Sequence, residues 1–218
     1  MTGYPRSPRL IKGGIVLLDP TSGAMRRAIA LQYNPDTLTR TLAVQAAGGE
    51  GDRLEAMRLK APPTETIKLD AEIDTTDQIE FPGQNPAASQ LGVFPLLAAL
   101  ETILYPTSTS LRSAETMARL GVLEIVPAEA PLTLFVWSRT RVLPVRITDF
   151  SVTEEAFDPN LNPIRAKISL GMRVLSVSDL PAGHKGAGLF MAYLQTKEQL
   201  VQRSPVIGLG VLGIGALG

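Results

Sequence analysis

The chain has 218 residues, 44% hydrophobic and 19% charged, enough apolar material for one sizeable core and unlike the composition of a disordered chain. Lys plus Arg equals Asp plus Glu at 21 each, so net charge gives no reason to expect nucleic acid or an anionic membrane as the main partner. With no cysteine, disulfides, thiolate metal sites and thiol nucleophiles are excluded together.

The opening, MTGYPRSPRLIKGG, has two prolines and no apolar run of signal-peptide length, so folding in the cytoplasm is expected. Arg9 to Asp19 and Ala28 to Asn34 flank a Pro-, Ser- and Gly-containing turn and predict an N-terminal hairpin. Residues Ala43 to Pro63 are small, polar and Gly-rich without sustained apolar periodicity, which predicts a long surface loop or arm. Thr66 to Asp74 then alternates strictly, with Ile67, Leu69, Ala71 and Ile73 on one face, the pattern of a half-buried strand.

The middle turns helical. Pro95 suits a first helical turn, Leu96, Leu97, Leu100, Ile103 and Leu104 follow at helical spacing, and Pro106 ends the run. Ser110 to Gly121 reads as a second helix with a thin apolar stripe. From Pro131 the pattern returns to β. Leu143, Val145 and Ile147 share one parity and Phe150 and Val152 the other, which predicts a bulge near Thr148 and Asp149.

After a turn built from Asp158, Pro159, Asn160, Asn162 and Pro163, alternation resumes, with Ile164, Ala166, Ile168, Leu170, Met172 and Val174 expected to face the core. Arms of about a dozen residues reach roughly 40 Å, far beyond an ordinary strand, so this hairpin is expected to outrun its own core. Its bare edges could be removed by closure into a barrel or by pairing with neighbouring subunits, and the second outcome makes a ring. A helix is expected from Gly188 to Arg203, followed by a Gly-rich apolar tail that packs on a neighbouring subunit. Residues 1–180 then form one β domain, and 181–218 an extension of it rather than a second domain.

Candidate chemistry is sparse. Gly208, Gly210 and Gly213 spell G-x-G-x-x-G, but without the flanking strand and helix that hold a pyrophosphate. The tail is also too short for the roughly 20 residues of a membrane span, so no stable insertion is expected. His184 is the sole histidine, and no G-x-S-x-G accompanies it, so a solvated loop histidine is the expectation. Asp70, Glu72, Asp74 and Asp77 could hold a hard cation or form a carboxylate pair, though a solvated polar face is the commoner meaning. Glu154 and Glu155 point to opposite faces of an extended strand, which argues against a glycosidase pair. Arg165, Lys167 and Arg173 form a basic stripe without the aromatic platforms of single-strand binders. It is either solvated or meets acidic groups of the 68–74 strand within or between subunits. No catalytic, cofactor or metal residue is assigned, and neither an enzyme nor a nucleic-acid binder is expected.

Three blocks resemble a known family. IALQYNPDTLTRTL (Ile29 to Leu42), PLTLFVWS (Pro131 to Ser138) and AFDPNLNPIRAKISLGMRVL (Ala156 to Leu175) are similar to tube proteins of phage-tail-like contractile injection systems, in the same order over roughly residues 10 to 180. The resemblance implies a mainly β fold with one or two helices (α+β), a tail-tube-like β-sandwich or split barrel with a long hairpin and a C-terminal helix. It implies a homohexameric ring of the inner tube, partnered by a neighbouring ring, the spike hub and the baseplate, as tube initiator or adaptor or as the main repeating tube protein. Some family members carry a C-terminal LysM module, and the residues after Asp179 do not resemble one. Assembly in the cytoplasm within such a particle is the implied location. On this reading Arg165, Lys167, Arg173, Asp158, Asn160 and Asn162 are candidate inter-subunit or lumen contacts. The rivals are a monomeric ligand-binding β-barrel and a carboxylate-based hydrolase using Asp70 and Glu72.

Overall fold

A computed structural model of the chain describes residues 10–46, 58–121, 130–205 and 208–213. The first hairpin pairs β1 (Gly14–Leu18) with β2 (Met25–Ala30). Its turn is organised by Asp19, whose carboxylate accepts from the Ser22 and Thr21 amides, the Ser22 hydroxyl and the Arg26 guanidinium. These donors, the Ser22 amide foremost, hold the Asp19 carboxyl far below the usual carboxylate range.

Five further strands, β3 (Leu38–Ala46), β4 (Leu59–Asp74), β5 (Leu132–Ser138), β6 (Arg141–Phe157) and β7 (Pro163–Val174), join them in one sheet. The order is β2-β1-β5-β6-β7-β4-β3, and every neighbouring pair is antiparallel. Strands β2 and β3, consecutive in the chain, thus lie at opposite edges. The sheet curls so that β1, β4, β5, β6 and β7 all feed one core, including Ile15, Ile67, Phe135, Leu143 and Met172. Across the remaining gap, the Gln32 side-chain amide donates to the Asp74 carbonyl at 2.5 Å and accepts from the Asp74 amide at 2.9 Å. A side chain thereby supplies one ladder rung between the end of β2 and the end of β4, and the architecture is a split barrel. The expected mainly β, α+β fold is what the structure has.

The predicted row on β7 faces the core: Ala166, Ile168, Leu170, Met172 and Val174 are buried and Ile164 is half-buried. The bulge predicted near Thr148 is present, since the β6–β7 register shifts between Ile147 and Asp149. The segment expected as a loop from Ala43 to Pro63 is instead strand at both ends, β3 running through Ala46 and β4 starting at Leu59, with residues 47–57 outside the described set. Apolar periodicity failed there because most of this extension has no core behind it, and its ladder is irregular near Gln45.

Among the described residues five α-helices accompany the sheet, more than the one or two expected: α1 (Thr76–Ile79), α2 (Pro86–Leu91), α3 (Phe94–Glu101), α4 (Ser108–Arg119) and α5 (Lys185–Val201). Helix α3 buries Leu97 and Leu100 and stops before Pro106 because its exit tightens into i→i+3 bonds from Ile103 to Leu100 and from Leu104 to Glu101. Helix α4, capped by the Thr107 hydroxyl, buries no residue. Helix α5 seats Phe190 and Tyr193 in the core and starts earlier than expected because His184 caps it, Nδ1 accepting from the Gly186 amide at 3.1 Å. A 3-10 turn, Leu209–Leu212, lies beyond it. None of the helices among the described residues is long and apolar enough to cross a membrane.

Candidate assembly surface

The two arms of the long hairpin are unequal. Strand β7 has β6 on one side and β4 on the other, whereas β6 is paired to β5 only from Arg141 to Val145. From Arg146 to Phe157, among the described residues, β6 has a strand on one side only. No residue of that stretch is buried. The backbone direction follows from the register. The Ile164 carbonyl accepts from Thr75 at 3.0 Å on the β4 side, and the Leu175 amide donates to the Pro144 carbonyl at 2.8 Å on the β6 side. Odd-numbered β7 residues therefore turn their backbone groups to β6, which leaves those of Phe150, Val152 and Glu154 aimed at the open side.

The tip is a tight knot of polar groups. Asp158 Oδ1 accepts from the Asn160 amide at 2.7 Å and the Asn162 amide at 2.8 Å, while Asn162 Nδ2 donates to Asp158 Oδ2 at 2.8 Å. The Asn162 side-chain and backbone donors together hold the Asp158 carboxyl below its ordinary value. Leu161 sits at φ 64°, and Phe157 and Leu161 are exposed. The tip does not overhang freely, as its length suggested. Asn162 Nδ2 also donates to the Gln90 carbonyl at 3.0 Å, and the Val93 amide donates to the Pro163 carbonyl at 2.8 Å. The α2–α3 connection supports it from below, which sequence periodicity alone could not indicate.

The basic stripe is paired within the chain. Arg165 lies opposite Asp74 in the β4–β7 register, and its Nε and Nη2 both reach Asp74 Oδ2 at 2.8 Å, with Glu72 at 3.7 Å. Lys167 meets Glu155 at 2.9 Å, and Arg173 meets Asp179 at 2.5 Å. Burial pushes the Asp74 carboxyl up, but hydrogen bonds from the Thr76 hydroxyl and amide and from Arg165 outweigh it, so the net shift is downward. The Arg165 guanidinium is correspondingly held above its usual value, chiefly by the hydrogen bond to Asp74. Only Arg165 thus meets the acidic strand, while Lys167 and Arg173 pair with acids on β6 and just after β7, all within one subunit.

One cluster escaped sequence reasoning. Glu65 is 3% exposed, and its carboxylate is shared by Arg40 Nε at 2.7 Å and Lys197 Nζ at 3.3 Å, with the Tyr193 hydroxyl at 3.5 Å. Arg40 also donates to the Tyr193 hydroxyl at 2.9 Å, and Lys197 lies 4.1 Å over the Tyr193 ring. The group ties β3, β4 and α5 together. Its signal was parity: Glu65 falls on the same face of β4 as Ile67 and Leu69, so a carboxylate was pointing inward.

The remaining candidates are not drawn into a site. No group of three or more His, Cys, Asp or Glu residues suited to a metal occurs among the described residues. His184, expected as a solvated loop residue, is a half-buried helix cap. The barrel interior between β1, β4 and α3 encloses only about 30 Å³ of apolar space, room for a water or two against the roughly 300 Å³ of a small-molecule site.

No protein-family model matches the chain, and no curated protein matches it. Among solved structures the chain is similar, at a TM-score of 0.30 and 13% identity over 75% of its length and 90% of the other chain, to one described as the tail of an empty GTA particle computed with helical refinement and C6 symmetry.

Proposed function

We propose that this chain is a structural, non-enzymatic ring subunit of a phage-tail-like contractile injection particle. Six copies share sheet edges to form a segment of inner tube at or near the baseplate, as initiator or adaptor between spike hub and tube. The observation that carries the reading is the stretch of β6 from Arg146 to Phe157, which has a strand on one side only among the described residues. An edge of that length left bare is an aggregation template, and soluble proteins cover or break such edges. In a ring it pairs with the free edge at the far end of a neighbour's sheet, β3 or β2, and a head-to-tail contact of this kind closes by rotation. The kind of particle rests on the resemblance of the three sequence blocks, and the small interior disfavours a ligand-binding barrel.

Native mass spectrometry and electron microscopy test the reading. Six chains of 23.3 kDa give a ring of about 140 kDa. Glu154→Pro removes a backbone donor on the open side of β6 while its own side chain is exposed, so the monomer should fold and the ring should be lost. Thr153→Pro, whose amide faces β7, should instead damage the monomer. A wild-type protein that stays monomeric at every concentration and associates with no particle overturns the proposal.

A further inference from the structure

The sheet has a second face, turned away from the barrel core, and its character changes partway across. On β1, β5 and the start of β6 that face is apolar: Leu18, Leu132 and Leu134 cluster there and are closed over by Val142 and by Leu189 of α5. From Arg146 onward, where β5 no longer accompanies β6, the same face is polar. The β4–β7 and β6–β7 registers arrange it in cross-strand rows, Asp74–Arg165–Glu155 and Glu72–Lys167–Thr153 nearest the tip, then Asp70–Ser169–Ser151. Lys68–Gly171–Asp149 and Thr66–Arg173–Arg146 complete it, with Thr39 and Thr41 of β3 beside Lys68 and Thr66. Lys68, Asp70, Lys167, Ser169, Ser151 and Thr153 are all exposed. The rows hold no apolar side chain larger than glycine, and their five acids balance their five bases. Arg165 and Lys167 are already bonded to Asp74 and Glu155 within the face. A surface with nothing apolar to bury and with its charges paired gains little from a protein contact.

A ring joined through sheet edges has two surfaces free of contacts, its outside and its lumen, and the fold decides between them. Strand β3, nine residues long against six for β2, continues the polar face, so it is the edge that suits the open side of β6. Four strands, β6-β7-β4-β3, then lie between the two joined edges of each copy. Joined edge to edge, these segments close into a wall with one face inward and one outward. The core, with α3, β1 and β5, stands on the face opposite the polar rows, and that bulk has room only outside the wall. We propose, on the ring reading, that the polar face of β6, β7 and β4 is the wall of the lumen, and that its self-paired, net-neutral charge gives a passing chain of either sign nothing to adhere to.

The absence of native cysteine makes the face easy to label. Rings of Ser169→Cys, and of Glu198→Cys on the exposed side of α5, are biotinylated at the thiol, saturated with monovalent streptavidin, and the bound copies counted by native mass spectrometry. Four strands from each of six copies, at about 4.8 Å apiece, give a wall roughly 40 Å across, which admits one or two such proteins at a time. Ser169→Cys rings should therefore carry about one or two streptavidins and Glu198→Cys rings up to about six. Equal loading overturns the lumen assignment while leaving the ring; a protein that forms no ring overturns both. For the charge, an uncharged dye on Ser169→Cys rings is quenched at low salt by iodide and by neutral acrylamide. The ratio of the two should match that of the free dye–cysteine adduct within about twofold, and Asp70→Lys beside the dye should raise it several-fold. A wild-type ratio several-fold below the free adduct, or several-fold above it, would mean an acidic or a basic wall and overturn the neutrality.

Discussion

Gly92→Ala is expected to loosen the hairpin tip from the body. Gly92 ends α2 at φ 57° and ψ −133°, a conformation open to glycine and strained by about 1–3 kcal/mol for other residues. Its added Cβ would lie 2.1 Å from the Pro163 carbonyl oxygen, so that carbonyl must move. Moving it gives up the 2.8 Å hydrogen bond from the Val93 amide, about another 1 kcal/mol. The total is about 2–4 kcal/mol, and for a chain of this size each kcal/mol lowers Tm by about 2–4 °C. Thermal melts followed by circular dichroism, with urea titrations for the free energy, should show a drop of about 4–16 °C. Gly83→Ala is the control, since a Cβ there meets nothing within 4 Å and its φ is not in the left-handed region. If Gly92→Ala melts within a degree or two of both wild type and Gly83→Ala, the tip is not held by the α2–α3 connection.

Glu65→Ala should destabilise the fold by about 2–3 kcal/mol in urea titration. That is less than the 3–5 kcal/mol of a fully buried pair, because Arg40 and Lys197 side chains keep 25% and 36% of their exposure and can turn to water. Tyr193→Phe, which keeps the ring under Lys197, should cost less than half as much. Asp74 and Asp158 both have folded-state values below their ordinary ones, so the stability they add is fully present above about pH 5 and is lost as pH falls through and below about pH 4. Melting temperature plotted against pH should therefore be flat near neutrality and fall on the acid side. An Asp158→Asn variant should differ most from wild type at pH 7 and converge with it toward pH 3. A gap between them that widens on acidification would show that the Asp158 carboxylate is not stabilising the tip.

Alternation made β7 and residues 66–74 of β4 legible in the sequence, because there every second residue is buried, and β6 legible because its apolar residues pack, buried or half-buried, on the same core. The switch of parity between Ile147 and Phe150 gave away the bulge at Thr148 for the same reason. Features held by polar groups or by contacts distant in sequence were not legible. Nothing local distinguishes Gln32 as a rung to Asp74, 42 residues away, or marks Asn162 as bonded to Gln90, 72 residues away. The short helices α1 and α2 also escaped, being shorter than two turns and carrying between them one buried residue, Ala88. The candidate tip residues Asp158, Asn160 and Asn162 were readable as a turn, but the second role of Asn162, its bond to the Gln90 carbonyl of α2, was not.

The bare side of β6 has local causes that make it a built feature. Strand β5 begins at Leu132, directly after Pro131, and a proline has no N–H with which to carry the ladder on past Val145. The bulge at Thr148 then flips the parity, so that Phe150 and Val152 join Leu143 and Val145 in packing toward the core. Gly171 accepts this irregularity: a Cβ there would sit 2.6 Å from Asp149 Oδ2, so the position opposite the bulge must be free of a side chain. Without the bulge, the outer half of β6 would turn Phe150 and Val152 to solvent and its polar residues to the core. With it, the strand keeps its apolar face inward while its outward backbone groups, from Phe150 to Glu154, stay in regular ladder geometry with no strand of the described residues opposite. A proline that ends one neighbour and a bulge that keeps the strand in register leave a regular edge that a strand from another copy can complete.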